Sequence, residues 1–126
     1  MSKPERIDTD KAPGAVGPYS QALATANLIY TSGQLGINPA TKAMPEGVRE
    51  QAELCLSNVK AVLEAAGSGL DKVLKATVFL TDMNDFAAVN EVYGGAFSQP
   101  YPARSCFAVK ALPLGAKVEI EVVAVR

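Results

Sequence analysis

The stretch VREQAELCLSNVKAVLEAAGSGLDKVLKATVFL, residues 48–80, decides the fold because it contains a complete helix signal followed by a strand signal. Apolar residues recur in it with a period of about 3.6, which indicates a helix with one buried face. They are Val48, Ala52, Cys55, Val59, Val62 and Ala66. Gly67 favours a helix end, and residues 72–80 are rich in Val, Leu, Thr and Phe, which favour a strand. We therefore predict a helix over 48–66 that packs against a strand over 72–80.

Upstream of this stretch the sequence predicts a hairpin. Residues 19–25 and 28–34 both have the composition of strands, and Ala26-Asn27 forms the short connection between them. Residues 1–16 show no apolar periodicity, so we expect them to form an irregular arm.

Downstream, residues 83–97 predict a second helix, with Asp82 or Asn84 as the N-cap. Residues 104–110 and 117–125 then predict two strands. The apolar stripe of the second helix consists of Phe86, Val89, Tyr93 and Phe97.

The predicted order is therefore β-β-α-β-α-β-β, within one domain that spans residues 1–126. Two helices on one face of a mixed, six-stranded-type sheet give a two-layer α+β fold. The other face of the sheet is then uncovered. An apolar face of this kind is simplest to cover with another subunit, so we expect an oligomer.

Composition excludes several kinds of site. The net charge is −1, which disfavours nucleic acid as a partner. Histidine is absent, which excludes histidine-based triads and histidine-ligated zinc. The two cysteines, Cys55 and Cys106, form no metal-ligand or disulfide pattern. No apolar run is long enough to span a bilayer, and the N-terminal residues lack the core of a signal peptide. A cytoplasmic protein without a membrane partner is expected.

Arg104 is the first candidate site residue. It begins a predicted strand, directly after a segment that prolines make rigid. It shares one strand face with Cys106 because side chains alternate. A planar, permanently charged guanidinium suits a carboxylate or phosphate ligand. The alternative is a surface arginine that is paired with a nearby acid.

Glu119 is the second candidate. It lies with Glu121 on one face of an otherwise apolar strand, where glutamate is depleted. A carboxylate beside a partly buried site can exchange a proton with water. The alternative is a water-exposed sheet face without chemistry.

Weaker signals complete the set. Asn90 falls within an apolar stripe and could bind a ligand or hold a loop. Tyr19 offers a ring and a hydroxyl, and Ser32-Gly33 allows close backbone approach. Cys106 could act as a nucleophile if Arg104 lowers its pKa, but a non-covalent role is preferred.

Seven segments together resemble the RidA/YjgF family, the reactive-intermediate deaminases that are also called L-PSP endoribonuclease-like proteins. The resemblance covers about residues 14–126. The segments are Gly17-Pro18-Tyr19-Ser20-Gln21, Ser32-Gly33-Gln34, Asn58-Val59-Lys60 with Ala65-Ala66-Gly67, Thr77-Val78-Phe79, Phe86-Ala87-Ala88-Val89-Asn90, Pro102-Ala103-Arg104-Ser105 and Val118-Glu119-Ile120-Glu121.

The resemblance implies a chorismate-mutase-like fold and a homotrimer whose sheets line a central barrel, with active sites between subunits. It implies hydrolysis of 2-iminobutanoate and 2-iminopropanoate, which arise from pyridoxal-phosphate-dependent dehydratases, to 2-oxo acids and ammonia. No metal or organic cofactor is implied.

The resemblance also implies a role for each candidate residue. Arg104 resembles the residue that binds the substrate carboxylate, and Glu119 resembles the one that activates water. The main chain of Cys106 resembles a second polar contact. The residues that resemble the pocket wall and its hydrogen-bond partners are Tyr19, Ser32, Gly33 and Asn90. We expect Arg104 and Glu119 to converge on one small 2-imino acid from adjacent strands.

Two other functions stay open at this point. One is an endoribonuclease or translation inhibitor, which the charge balance and the lack of histidine disfavour. The other is a non-catalytic module that binds small acids or acts like a chaperone, which the presence of Glu119 with Arg104 disfavours.

Overall fold

Both helices form where their apolar stripes predict them. The computed structural model describes residues 3–126, and in it α1 (Val48–Ala65) ends one residue before its predicted end. The second helix, α2 (Phe86–Ala96), is preceded by a 3₁₀ turn, which the Asp82 carboxylate caps by accepting a hydrogen bond from the Asn84 amide at 2.8 Å. Within the described range, no helix has the length and apolar character that a membrane crossing requires.

Residues 3–126 form a single sheet of seven strands, two more than the five in the predicted order. The strands are β1 (Glu5–Ile7), β2 (Ala22–Ala24), β3 (Leu28–Thr31), β4 (Gln34–Leu35), β5 (Val73–Leu80), β6 (Ala103–Ala108) and β7 (Val118–Val125). Hydrogen-bonded neighbours follow the order β1-β2-β3-β7-β5-β6, and β4 also pairs with β7. β5 and β6 are parallel and the other pairs are antiparallel, so the sheet is mixed, as predicted.

The N-terminal half differs from the prediction in two places. The arm predicted as irregular contains β1, which pairs with β2 and buries Ile7 in the core; the first two residues of the predicted arm lie outside the described range. The predicted strand over 19–25 is reduced to β2, so Tyr19 lies in a loop. The next predicted strand is divided into β3 and β4 at Ser32-Gly33.

The core lies between the helices and one face of the sheet. Alternate residues of β7 are buried, and the same holds for the second half of β5, because side chains alternate along a strand. The β7 residues Ile120 and Val122 pack in one cluster with Val59 of α1 and Val89 of α2. Both helices therefore cover the same face, as predicted.

The opposite sheet face is uncovered in the single chain and has an apolar area. Leu23, Tyr30 and Phe107 project from β2, β3 and β6, with 41%, 52% and 45% of their surface exposed. Phe79 packs edge-to-face on Phe107, with ring centroids 5.4 Å apart. We call this surface the open face. Its apolar character is what the sequence predicted for a surface that another subunit covers.

Candidate functional site

Glu119 lies on the open face, at one end of the sheet. Its neighbours in β7, Val118 and Ile120, point to the helices, so Glu119 must point away from them. The carboxyl borders a cavity of about 720 Å³. The arm, the junction of β3 with β4, and the turn at Pro113-Leu114 form the other walls.

Gly33 allows the carboxyl of Glu119 to occupy this position. A Cβ atom built on Gly33 would lie 2.0 Å from Oε2 of Glu119 and 2.7 Å from its Cδ. No side chain fits there unless the carboxyl moves. In the structure the missing Cβ of Gly33 makes room for a candidate catalytic group. The predicted close approach of its backbone to a ligand stays a prediction.

The environment of Glu119 favours its neutral form. Burial raises the pKa of the Glu119 carboxyl above its ordinary value, and the negative charge of Glu121 raises it further. Glu121 lies two residues along β7, on the same face. Within residues 3–126, Glu119 forms no ion pair. A carboxyl with a raised pKa that is not neutralised by a cation is suited to exchanging a proton with water.

Tyr19 and Ser32 line the same cavity as Glu119. Tyr19 is half exposed, and its ring is accessible at the mouth of the cavity. The Ser32 hydroxyl donates a hydrogen bond of 2.6 Å to the main-chain oxygen of Ser20. The hydroxyl therefore uses its proton to hold the main chain next to Tyr19. Towards any other group it can act only as a hydrogen-bond acceptor.

Arg104 lies on the opposite face of the sheet, the one that the helices cover. Its Nη1 donates a hydrogen bond of 2.8 Å to Oδ1 of Asn90. Its guanidinium carbon lies 4.8 Å from the centre of the Tyr93 ring and 5.6 Å from that of Phe86. Among residues 3–126, no carboxylate pairs with Arg104. The alternative of a surface arginine paired with an acid of its own chain is therefore wrong.

The guanidinium faces its own cavity of about 450 Å³, which Asn90, Tyr101 and Pro102 also line. Asn90 is exposed at the surface of α2 although it falls within the apolar stripe. Asn90 holds the arginine, a role that its sequence position did not suggest, and its contact with a ligand stays a prediction. Nη2 and Nε of Arg104 donate to no group within the described range, so this edge of the fork can accept an anion.

Cys106 shares the covered face with Arg104, as predicted, and is partly buried. Burial raises the pKa of the Cys106 thiol, and the opposing effect of the Arg104 charge does not cancel this rise. The expectation that Arg104 could lower this pKa enough to make a nucleophile is therefore wrong. β6 is an edge strand, so some of its main-chain groups have no partner in the sheet.

The two candidate catalytic side chains do not converge within one chain. β5 lies between β6 and β7, so the strands that carry Arg104 and Glu119 are not adjacent. Arg104 pairs in register with Ala76 on the helix-covered face, whereas Glu119 pairs with Phe79 on the open face. The expectation of convergence from adjacent strands is wrong for the single chain. Each chain presents the two candidate side chains on opposite faces of its sheet.

Buried amides that sequence reasoning did not single out hold the walls of the Glu119 cavity. The side chain of Gln21 accepts from the Thr9 amide at 2.8 Å and donates to the main-chain oxygen of Pro13 at 2.8 Å, which fixes the arm. Asn58 donates to the main-chain oxygens of Leu35 and Ile37 at 3.1 and 2.9 Å. Both residues lie in segments that carry the family resemblance, but nothing in those segments indicated that their side chains hold the cavity walls.

The described part of the chain, residues 3–126, contains no group of three or more His, Cys, Asp or Glu side chains that could hold a metal ion. No cofactor-binding residues can therefore be assigned from such a cluster.

Comparisons with known proteins cover nearly the whole chain. The profile of the family described as Endoribonuclease L-PSP matches residues 9–126. RutC family protein y4sK of Sinorhizobium fredii is 58% identical over 94% of this chain and 95% of that protein. The 2-iminobutanoate/2-iminopropanoate deaminase of Capra hircus is 51% identical over 95% of this chain and 88% of that protein. The crystal structure of E. coli TdcF with bound serine superposes with a TM-score of 0.92 at 46% identity, over 97% and 98% of the two chains.

Proposed function

Because the chain belongs to the Endoribonuclease L-PSP family, which is the RidA/YjgF family predicted from its motifs, we propose that it hydrolyses 2-iminobutanoate and 2-iminopropanoate. The products are the 2-oxo acids and ammonia. The observation that carries this proposal is the pair of half-sites: an arginine fork that pairs with no carboxylate of residues 3–126, and a carboxyl whose pKa is raised. The name of the goat relative supports the same substrates.

Arg104 binds the substrate carboxylate in this proposal. Asn90 occupies only Nη1, so Nε and Nη2 can donate two parallel hydrogen bonds to one carboxylate. The bound serine in the TdcF structure supports a small amino-acid-like ligand for this fold. Unpaired main-chain groups of the edge strand at Cys106 are available as a second polar contact, as the family resemblance implies.

A second copy of the chain completes the site. The substrate must reach an Arg104 on the covered face and a Glu119 on the open face, and one sheet cannot present both to one small molecule. We therefore place the active site between copies, in the homotrimer that the family resemblance implies, with Tyr19 and Glu119 from one copy and Arg104 from its neighbour. Burial of the apolar open face in the assembly supplies the driving force.

Glu119 acts as the general base. In its ionised form it accepts a proton from water as the oxygen attacks the imine carbon, which gives a tetrahedral carbinolamine. The carbinolamine forms from the protonated imine, and Glu119 returns the water proton to its amine nitrogen. The carbinolamine hydroxyl then gives its proton to Glu119 as the carbon–nitrogen bond breaks. The 2-oxo acid forms, and the departing ammonia takes up that proton and leaves as ammonium. Imine hydrolysis has a low intrinsic barrier, so positioning and one proton relay are sufficient. The cytoplasmic location stays a prediction.

The test generates 2-iminobutanoate in situ with threonine dehydratase and lets semicarbazide compete for it. We expect the wild-type protein to divert the imine to 2-oxobutanoate, and Arg104→Ala to lose this effect. Arg49→Ala, which removes a surface arginine that pairs with Glu91, is the charge-matched control and should behave as wild type. An Arg104→Ala protein with full activity would contradict the assignment.

The same preparations separate the other two functions. RNA cleavage at physiological salt that persists in Arg104→Ala, without imine hydrolysis by the wild type, would favour the endoribonuclease that the family description names. A Glu119→Gln protein with an unchanged deaminase rate would favour a binding module.

A further inference from the structure

One face of α2 surrounds the guanidinium of Arg104. Phe86, Asn90 and Tyr93 lie at spacings of four and three residues, which places them on the same side of the helix. Asn90 holds Nη1 by a hydrogen bond, and the two rings lie within cation–π distance of the guanidinium carbon. Tyr93 is the closer of the two rings, at 4.8 Å, and only 4% of its surface is exposed.

We propose that Tyr93 is a positioning residue, whose ring, together with that of Phe86, fixes the guanidinium of Arg104 so that its unpaired edge faces the substrate carboxylate. This inference rests on the proposed function. A single hydrogen bond from Nη1 to Asn90 leaves the guanidinium able to rotate about that bond. Two aromatic faces remove this freedom, and a fork that is already oriented binds a carboxylate with a smaller loss of entropy.

The Tyr93 ring is itself held in place. Phe97 packs on it with ring centroids 4.6 Å apart and a tilt of 42°. Phe97 is also buried and comes directly after α2. The aromatic contacts therefore run from the core to the charged group, and the position of Arg104 depends on the packing of α2.

The ring of Tyr93 carries this role without its hydroxyl. The Tyr93 hydroxyl is buried and has no hydrogen-bond partner within residues 3–126. Burial raises the pKa of this hydroxyl despite the opposing charge of Arg104, so it stays protonated at neutral pH. Phenylalanine preserves the ring and removes a buried polar group that makes no hydrogen bond. Tyr93→Phe is therefore the matched control for loss of the ring.

The experiment compares Tyr93→Phe, Tyr93→Leu and Phe86→Leu. Two functional readouts are kcat and KM in the imine assay and the calorimetric Kd of 2-oxobutanoate, which supplies the same carboxylate. We expect Tyr93→Phe to stay within about twofold of wild type, with an equal or higher Tm. Tyr93→Leu should raise KM and Kd about tenfold with kcat within about twofold, and Phe86→Leu should raise them less.

A third readout does not depend on turnover. In arginine-labelled protein, the Nε–Hε resonance of Arg104, assigned by its loss in Arg104→Lys, should carry a ring-current shift. Tyr93→Phe should keep this shift and Tyr93→Leu should lose it. Phe86→Leu should reduce it, which provides the same test if Tyr93→Leu fails to fold.

The outcomes separate the two proposals. An unchanged Arg104 resonance in folded Tyr93→Leu or Phe86→Leu would overturn the positioning role. Equal losses of activity in Tyr93→Phe and Tyr93→Leu would overturn it too, because they would assign the function to the hydroxyl. A wild-type protein that shows the ring-current shift but neither hydrolyses imines nor binds 2-oxobutanoate would support the positioning of Arg104 and refute the proposed function.

Discussion

Replacing Gly33 by alanine is expected to slow imine hydrolysis about a hundredfold while the fold stays intact. The new Cβ would lie 2.0 Å from Oε2 of Glu119. An ordinary contact is about 3.5 Å, so the carboxyl must retreat by roughly 1.5 Å. A displacement of about 1 Å at a reacting group lowers a rate about a hundredfold, which corresponds to a rise of about 2.7 kcal/mol in the activation barrier.

The stability of the same variant should change little. Gly33 does not adopt a left-handed backbone conformation, so alanine is compatible with its dihedral angles. The obstructing atoms belong to the end of a flexible side chain. We therefore expect the free energy of unfolding in urea to change by less than about 1 kcal/mol.

Gly95→Ala is the matched control for this prediction. Its Cβ would meet no atom within 4 Å, and its position within α2 predicts a stabilisation of about 0.5–1 kcal/mol with an unchanged rate. The assay is diversion of 2-iminobutanoate from semicarbazide, with Glu119→Gln as the reference for complete loss of the base. A Gly33→Ala protein with wild-type kcat would refute the argument that the position of Glu119 limits the rate.

Three further perturbations test other parts of the structure. Because burial and the charge of Glu121 raise the pKa of Glu119, activity should fall as the pH drops through that raised value, and Glu121→Gln should move this acid limb of the kcat profile to lower pH. Gln21→Ala leaves the main chain of Thr9 without partners, so the free energy of unfolding in urea should fall by about 1–3 kcal/mol. Phe107→Asp places a charge on the open face and should give a folded, inactive monomer in sedimentation velocity with an unchanged far-UV CD spectrum.

Each of these perturbations has an outcome that contradicts its reasoning. The exposed-residue control Glu53→Gln should leave the acid limb in place. If the limb also stays in place in Glu121→Gln, the charge of Glu121 does not raise the pKa of Glu119. An unchanged free energy of unfolding for Gln21→Ala would show that water replaces the hydrogen bonds of the Gln21 side chain. An active oligomer of Phe107→Asp would show that the open face is not the contact between copies.

The helices and the long strands could be predicted from the sequence because their signals are local and repeat over several turns or residues. α1 was predicted to within one residue at its end. β1 could not be predicted, because three residues carry no periodicity and its formation depends on pairing with β2. The start of α2 was predicted too early, because the Asp82 cap closes a 3₁₀ turn before the helix begins.

For the candidate site, the sequence predicts which residues share a face within each strand, but not how the strands are arranged. Alternation correctly placed Arg104 with Cys106 on one face of β6, and Glu119 with Glu121 on one face of β7. Alternation does not tell which face of each strand meets the helices. It also does not tell that another strand lies between β6 and β7. Both depend on long-range pairing with β5. The predicted convergence within one chain was wrong for this reason.

In the proposed function, a sheet with its guanidinium on one face and its carboxyl on the other divides the active site between molecules. Two defective proteins, Arg104→Ala and Glu119→Gln, should therefore rescue each other when they are unfolded together and reassembled. In an equal, random mixture, about one quarter of the junctions receive an intact group from both sides, because each group is intact in half of the chains. If mixing restores about a quarter of the wild-type activity, the catalytic site lies at the contact between two molecules. No molecule could then act alone, and its activity would depend on its concentration.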